Sequence, residues 1–126
     1  MNKRIIMVES YNINWPAQYL AEQRLLENIL GDNVAAIHHI GSTSVPGLSA
    51  KPIIDILLEV KDLFALEKSD MQLKKLGYVA KGEHGIVGRR YFQKGGALRS
   101  HHLHAFKKGS IDLIQHLVFR DYLRKS

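Results

Sequence analysis

The segment from Ile53 to Val60 constrains the fold more than any other part of the chain. It is almost continuously apolar, and a short run of this kind is typical of a central strand buried on both faces of a sheet. Asp55 and Glu59 interrupt it, and alternation along a strand puts both on the face of Leu57. An ionised aspartate there costs several kcal/mol unless a cation or hydrogen-bond donors meet it. The sequence therefore predicts a partner for Asp55, and a separate surface position for Glu59, which lies about 13 Å farther along the strand.

Three other segments have the periodicity of helices that bury one face. The residues predicted to face the core are Trp15, Tyr19, Leu26 and Leu30 in a first helix closed by Gly31, Leu63, Leu66, Leu73 and Leu76 in a second from Asp62 to Leu76, and Ile111, Ile114, Leu117, Val118 and Tyr122 in a third capped by Ser110. Further strands are predicted at residues 5–8, 34–40, 78–80, 90–93 and 101–106, the last three as a meander with a turn at Gly95-Gly96. We expect a single α/β (α+β) domain over residues 1–126, with the sheet flanked by helices.

The composition excludes several classes of protein. The chain has no cysteine, which excludes a disulfide framework, a thiolate zinc site and a cysteine nucleophile, and predicts a cytoplasmic protein. The longest apolar run is far shorter than the roughly 20 residues that cross a bilayer, so we expect no membrane association. Residues 1–8 contain only four consecutive apolar residues, too few for the apolar region of a signal peptide, so we expect no secretion.

The charge is distributed unevenly. Residues 1–73 contain six Lys/Arg against nine Asp/Glu, whereas residues 74–126 contain twelve against three. A basic half suits an anionic partner, either a nucleic acid or a phosphorylated small molecule, and a solvated basic surface is the alternative. Only 8% of residues are aromatic, and the absence of an aromatic ladder argues against nucleic acid.

The loop from Gly41 to Pro52 has the residues of a phosphate-binding turn. Gly41 allows an anion to approach the backbone, the Ser42 hydroxyl can bind it, and amides in the turn through Thr43 and Ser44 can face it. Lys51 adds a positive charge, and Asp55 would hold a magnesium ion that bridges to the same phosphates. The alternative is a tight turn beside a buried, capped aspartate.

A second group of candidates follows in the basic half. His102 and His104 share one face of a strand, where two imidazoles can converge on a divalent metal or a phosphate. Arg89 and Arg90 could clamp an anion bidentately. Packing histidines and an exposed basic pair are the alternatives, and His38, His39 and His116 have no obvious partners.

Residues 39–56 read HIGSTSVPGLSAKPIIDI, and this stretch closely resembles the signature of the GrpB family of the nucleotidyltransferase superfamily. Residues 11–15, 82–92, 101–106 and 119–124 also match that family, so the resemblance covers essentially the whole chain. It implies a nucleotidyltransferase-like mixed sheet of the DNA polymerase beta type, with Gly41-Ser42 contacting phosphate and Asp55 binding metal. In active members of the superfamily an acceptor hydroxyl attacks the α-phosphate of a nucleotide. Some relatives are fused to dephospho-CoA kinase, which implies a link to coenzyme A metabolism.

The chain departs from the family pattern in two ways. Leu57 stands where the superfamily has a second carboxylate, and His102 and His104 stand where it takes a third. Relatives also continue beyond the last matching segment, so we expect the C-terminal helical extension to be lacking here and a homodimer to cover the exposed surface. Three hypotheses follow: a magnesium-dependent nucleotidyltransferase-like protein, an inactive phosphate- or nucleotide-binding regulatory module, and a divalent metal site formed by Asp55, His102 and His104.

Overall fold

A computed structural model describes residues 8–125, in which a five-stranded mixed sheet has helices on both faces. The helices are α1 (Trp15–Leu30), α2 (Leu63–Glu67), α3 (Asp70–Lys75) and α4 (Ile111–Lys125), and the strands are β1 (Val34–Ile40), β2 (Ile54–Val60), β3 (Tyr78–Ala80), β4 (Arg90–Lys94) and β5 (His101–Lys107). The strand order is β1-β2-β5-β4-β3; β2 and β5 are parallel, and the other neighbours are antiparallel. The predicted α+β class and the meander are confirmed. The extended segment predicted at residues 5–8 lies almost entirely outside the described residues.

Helices α1, α2 and α3 cover one face of the sheet. The four α1 residues predicted to face the core are all buried, and they pack on the apolar side chains of β2. Gly31 ends the helix as predicted, with a φ of +56°. Within residues 8–125, no helix is long and apolar enough to span a bilayer.

The single helix predicted from Asp62 to Leu76 is wrong, because the structure divides it into α2 and α3. The Asp62 side chain caps the first piece by accepting a hydrogen bond from the Phe64 amide at 2.9 Å. At Ser69 the hydroxyl donates back to the Ala65 carbonyl at 3.4 Å, and a new turn begins. Serine side chains compete in this way for backbone hydrogen bonds and favour helix ends. The apolar periodicity continues from α2 into α3, so the sequence pattern does not reveal the break between the two helices.

Helix α4 covers the opposite face, where Leu117 packs against the core as predicted but the other four residues predicted to face inward are exposed. Leu113 is the buried residue, and it packs with Ile40, Leu57 and Phe106. Ile111, predicted to face inward, is 71% exposed, and Ile114, Val118 and Tyr122 are exposed as well. The helix carries apolar residues on more than one side, so periodicity alone could not select the face that packs. The predicted cap is confirmed, because Ser110 Oγ accepts a hydrogen bond from the Leu113 amide at 3.3 Å.

The register of three neighbouring strands determines the surroundings of Asp55. On one side β1 places Ile40 opposite Asp55, immediately before the Gly41 turn. On the other side the parallel strand β5 aligns His102 with Asp55 and His104 with Leu57. Asp55 therefore lies between the turn that ends β1 and the histidine face of β5.

Candidate functional site

The turn after β1 depends on glycine at position 41. Gly41 has φ +74° and ψ −175°, a backbone region that is essentially restricted to glycine. It leads into a 3₁₀ turn at Ser42–Ser44, where both the amide and the hydroxyl of Ser44 donate to the Gly41 carbonyl, at 3.1 and 2.6 Å. A Cβ atom built on Gly41 would lie 2.6 Å from Asp55 Oδ2. The turn and the acid are therefore in direct contact.

His39, for which the sequence predicted no partner, stabilises the turn. His39 is buried, its ring stacks on Tyr19 with centroids 4.8 Å apart, and Nε2 lies 2.9 Å from Thr43 Oγ1. Because the Thr43 hydroxyl donates to the Ile53 carbonyl at 3.4 Å, His39 is the donor in their hydrogen bond. Burial, followed by the charge of Arg124, lowers the pKa of His39 to about 4. Thr43 and Ser44 are both buried, and their hydroxyl groups donate to backbone carbonyls, which stabilises the turn.

The buried, neutral His39 predicts a loss of stability in acid. Its pKa falls from 6.5 to about 4 on folding, so between these values the unfolded chain binds the additional proton. The free energy of unfolding should therefore fall as pH is lowered from 6.5 to 4, by up to about 3 kcal/mol from this residue. Urea denaturation at a series of pH values measures this loss.

His39→Gln is the matched variant, because a glutamine amide donates like Nε2 and does not titrate. Its stability should depend less steeply on pH over the same range. His101 and His116, whose pKa values burial also lowers, retain their share of the slope in both proteins. Parallel pH profiles for the two proteins would contradict the assignment to His39.

Asp55, His102 and His104 converge in the structure. His102 Nδ1 and His104 Nε2 lie 3.4 and 3.3 Å from the same oxygen, Asp55 Oδ1. Burial alone would raise the pKa of Asp55, but the hydrogen bonds from the two histidines outweigh it and hold the pKa below the ordinary value. The acid is therefore ionised at neutral pH and has hydrogen-bond partners.

Two clefts open beside this acid. The first, which we call the loop-side cleft, has a volume of about 510 Å³; the second, the helix-side cleft, lies against α4 and measures about 320 Å³. The loop-side cleft is lined by Val8, Ser42, Thr43, Ser49, Ala50, Lys51, Ile53, Asp55, Gln93, Arg99 and His102. The helix-side cleft is lined by Ile40, Gly41, Ser42, Asp55, His104, His116, Phe119, Arg120 and Leu123. Ser42 and Asp55 form the wall that the two clefts share.

The two clefts differ in chemistry. Lys51, Arg99 and His102 line the loop-side cleft together with small hydroxylated residues, a lining that suits a polyanion. The helix-side cleft joins apolar walls to Arg120, His104 and His116. Among the described residues that line either cleft, Asp55 is the only acid. Sequence reasoning missed Arg99, whose position just before β5 was the available signal.

The predicted clamp of two adjacent arginines is not present. Arg90 points to the α2 side of the sheet, where Nε donates to Glu67 Oε2 at 2.7 Å. Arg89 is buried and reaches the site only through His104, whose Nδ1 lies 3.2 Å from the Arg89 guanidinium. Neighbouring residues entering a strand point to opposite faces, so the pair cannot act on one anion.

The donor set near Asp55 suits magnesium only in part. Magnesium binds through one or two carboxylates together with phosphate oxygens of the ligand, and Asp55 supplies one carboxylate. Leu57, in the place of a second carboxylate, is fully buried. In the described part of the chain, no three histidine, aspartate or glutamate side chains are arranged so that they could hold a metal ion. Asp55 is the residue that fits a magnesium ion bound together with phosphates.

The known proteins that are similar to this chain agree on one family. The family model described as GrpB protein matches residues 5–126. The chain is 49% identical over 122 residues to the UPF0157 protein YqkA of Bacillus subtilis, covering 97% of this chain and 36% of that protein. It is 36% identical over 128 residues to the glutamate-rich protein GrpB of Alkalihalophilus pseudofirmus, covering 98% of this chain and 74% of that protein. The chain thus spans about a third of the Bacillus relative's length and about three quarters of the other.

Two solved structures are similar to this chain. The crystal structure of GrpB from Enterococcus faecalis superimposes with a TM-score of 0.92 at 40% identity, over 95% of this chain and 73% of that one. The structure of Cid1 in complex with the UTP analog UMPNPP superimposes with a TM-score of 0.56 at 12% identity, over 94% of this chain and 38% of that one. At that identity the second likeness concerns the fold alone, and it confirms the nucleotidyltransferase-like fold implied by the sequence.

Proposed function

The chain belongs to the GrpB family, and on that premise we propose that it binds a nucleotide, or another phosphorylated small molecule, in the loop-side cleft. The observation that carries the proposal is the wall formed by Ser42 and Asp55 beside a lining that contains Lys51 and Arg99. A volume of about 510 Å³ lies within the range of small-molecule sites. The phosphates would lie against the Gly41 turn, with the two cationic side chains neutralising them.

Magnesium is part of this proposal. Asp55 would hold the ion together with phosphate oxygens of the ligand, and a magnesium ion bound there supplies charge neutralisation at the phosphates. His102 and His104 keep the carboxylate ionised and oriented. We place the protein in the cytoplasm, where nucleotide ligands are available.

Nucleotidyl transfer is the reaction that the pair of clefts supports best. An acceptor alcohol in the helix-side cleft would meet the α-phosphate at the wall formed by Ser42 and Asp55. Its oxygen would bond to the α-phosphorus as the bond to the bridging oxygen breaks and pyrophosphate leaves. Burial lowers the pKa of His116, so this neutral imidazole in the helix-side cleft can accept the hydroxyl proton.

A specific observation favours a second function, that of a non-catalytic regulatory module for the same ligands. Leu57 lies in the core with Leu113 of α4, so the position of the second carboxylate is apolar and covered. A module of this kind would retain the phosphate turn without transferring the nucleotidyl group. The link to coenzyme A metabolism implied by the family resemblance belongs to this alternative.

Calorimetric titration with ATP, UTP and coenzyme A, with and without magnesium, tests the proposal. We expect at least one of these ligands to bind, and magnesium to raise its affinity on the order of tenfold, since the cation offsets repulsion between phosphate and Asp55. Asp55→Asn should remove the magnesium effect, because the variant lacks the charged oxygen ligand. The measurement is the ratio of dissociation constants with and without the ion.

Glu59→Gln is the matched control. Glu59 is on the same strand face as Asp55 but is paired with His38 at 2.6 Å, outside both clefts. Its variant should keep the full magnesium effect. Failure of all three ligands to bind would overturn the proposal, and binding that ignores both magnesium and Asp55→Asn would support the regulatory module.

A further inference from the structure

Arg89 is the buried cation nearest to the site, and its guanidinium group is held both by its three nitrogens and by its face. Nε donates to the Glu83 carbonyl at 3.2 Å, and one terminal nitrogen donates to the His84 carbonyl at 2.8 Å. The other terminal nitrogen lies 3.2 Å from His104 Nδ1. The face of the group lies over the ring of Tyr91, with its central carbon 4.6 Å from the ring centroid. The guanidinium is thus fixed in position and direction.

These contacts determine which nitrogen of His104 carries the hydrogen. A guanidinium group is permanently protonated and accepts no hydrogen bond, so Nδ1 of His104 has to be the acceptor. A neutral imidazole that accepts at Nδ1 has its hydrogen on Nε2. Nε2 is the atom that lies 3.3 Å from Asp55 Oδ1. If both nitrogens carried a hydrogen, the Nδ1–H of His104 and an N–H of Arg89 would be two donors facing each other with no acceptor between them.

We propose that Arg89 is a positioning residue that holds His104 as the Nε2–H tautomer, so that His104 donates to Asp55 and cannot ligate a metal ion beside it. Two histidines and one carboxylate are otherwise a ligand set typical of transition metals. An imidazole ligand needs a free lone pair on the nitrogen that faces the metal, and on His104 that nitrogen is occupied. The divalent site that the sequence predicted from Asp55, His102 and His104 therefore does not fit this geometry.

The arrangement also determines which oxygen of Asp55 is available. Both histidines approach Oδ1, while Oδ2 is directed toward Gly41 and the phosphate turn. An oxygen-ligated cation that arrives with phosphates can use Oδ2 without disturbing His104. This consequence rests on the proposed function, but the tautomer of His104 is measured without nucleotide, so the two can fail separately.

Long-range ¹H–¹⁵N NMR on the wild-type protein at pH 7.5 tests the tautomer directly. We expect the Nδ1 signal of His104 at the position of an unprotonated nitrogen and the Nε2 signal at that of a protonated one. The opposite pattern, or an exchanging mixture of tautomers, would overturn the proposal. This measurement needs no variant, so it decides the question even if Arg89 cannot be replaced.

Cobalt binding tests the consequence for metals. Arg89→Met removes the donor to Nδ1, so His104 is no longer held with its hydrogen on Nε2. We therefore expect Co²⁺ affinity to rise on the order of tenfold, with new d–d absorption. Arg90→Met, on the opposite face, should leave Co²⁺ affinity unchanged, and Arg89→Met with His104→Gln should lose the gain. Two results would overturn the proposal. One is equal Co²⁺ affinity in the wild type and in a folded Arg89→Met variant, and the other is a loss of Co²⁺ affinity when His104→Gln is made in the wild type.

Discussion

Replacing Glu22 by alanine is expected to lower the free energy of unfolding by about 3 kcal/mol. The carboxylate of Glu22 is buried under α1, where it accepts hydrogen bonds from the Tyr78 hydroxyl at 2.6 Å and from Lys94 Nζ at 2.8 Å. His101 Nε2 lies 3.6 Å away. Alanine would leave an ammonium and a phenol without their acceptor in an otherwise apolar core. The Lys94 side chain is still 21% exposed, so the loss belongs at the lower end of values for buried pairs. Urea denaturation at pH 7 measures it.

Three further variants separate this network from general damage to α1. Glu27→Ala, an exposed acid on the same helix, should change the free energy of unfolding by less than about 0.5 kcal/mol. Tyr78→Phe removes one hydroxyl and should cost about 1 kcal/mol. Replacing Glu22 by leucine and Lys94 by methionine together should restore most of the stability, since no unpaired charge remains. A loss below about 1 kcal/mol for Glu22→Ala would show that the buried network is not formed.

Glu22 also shows where local patterns stop being informative. It lies between Tyr19 and Leu26 on the face of α1 that the sequence correctly predicted to be buried, so a carboxylate in that face was a readable signal of a buried polar contact. Its partners Tyr78 and Lys94 are 56 and 72 positions away. In α1 the helical periodicity predicts the buried face, but it does not predict which strand packs against that face.

The same limit applies to the candidate site. Alternation along a strand predicted that Asp55 shares a face with Leu57 and Glu59 and that His102 shares a face with His104, and in the structure both histidines reach Asp55. The parallel pairing of β2 with β5 brings Asp55 and the two histidines to the same face of the sheet. The pattern within each strand does not predict that pairing. The rule of alternation could also have separated Arg89 from Arg90, which the clamp hypothesis placed together.

His39 and Arg89 are a further kind of residue that the sequence did not reveal, because each supports the site through a neighbouring side chain. Neither lines either cleft, yet one holds Thr43 of the Gly41 turn and the other holds His104. Their residue types and spacing have no signature, since their role arises from burial and from the direction of a single hydrogen bond. Such residues become visible only when the donors and acceptors around a site are assigned one by one.

Gly41→Ala is expected to damage stability and ligand binding together. The backbone region that Gly41 occupies costs a residue with a side chain about 1–3 kcal/mol. The added Cβ would also lie 2.6 Å from Asp55 Oδ2, so the carboxylate has to move and lose its contacts with His102 and His104. We expect the free energy of unfolding to fall by more than about 2 kcal/mol and the magnesium effect on nucleotide affinity to disappear. Urea denaturation and calorimetry measure the two losses.

Gly47→Ala separates backbone strain from the contact with Asp55. Gly47 has a φ of +81° in the same loop, but no atom lies within 4 Å of a Cβ built there. It should therefore cost about 1 kcal/mol from strain and leave nucleotide binding intact. A double-mutant cycle completes the test: in an Asp55→Ala background, Gly41→Ala should cost only its strain, because the group it collides with is gone. Equal losses from Gly41→Ala in the two backgrounds would mean that the turn and the acid do not touch, and the shared wall of the two clefts would lose its basis.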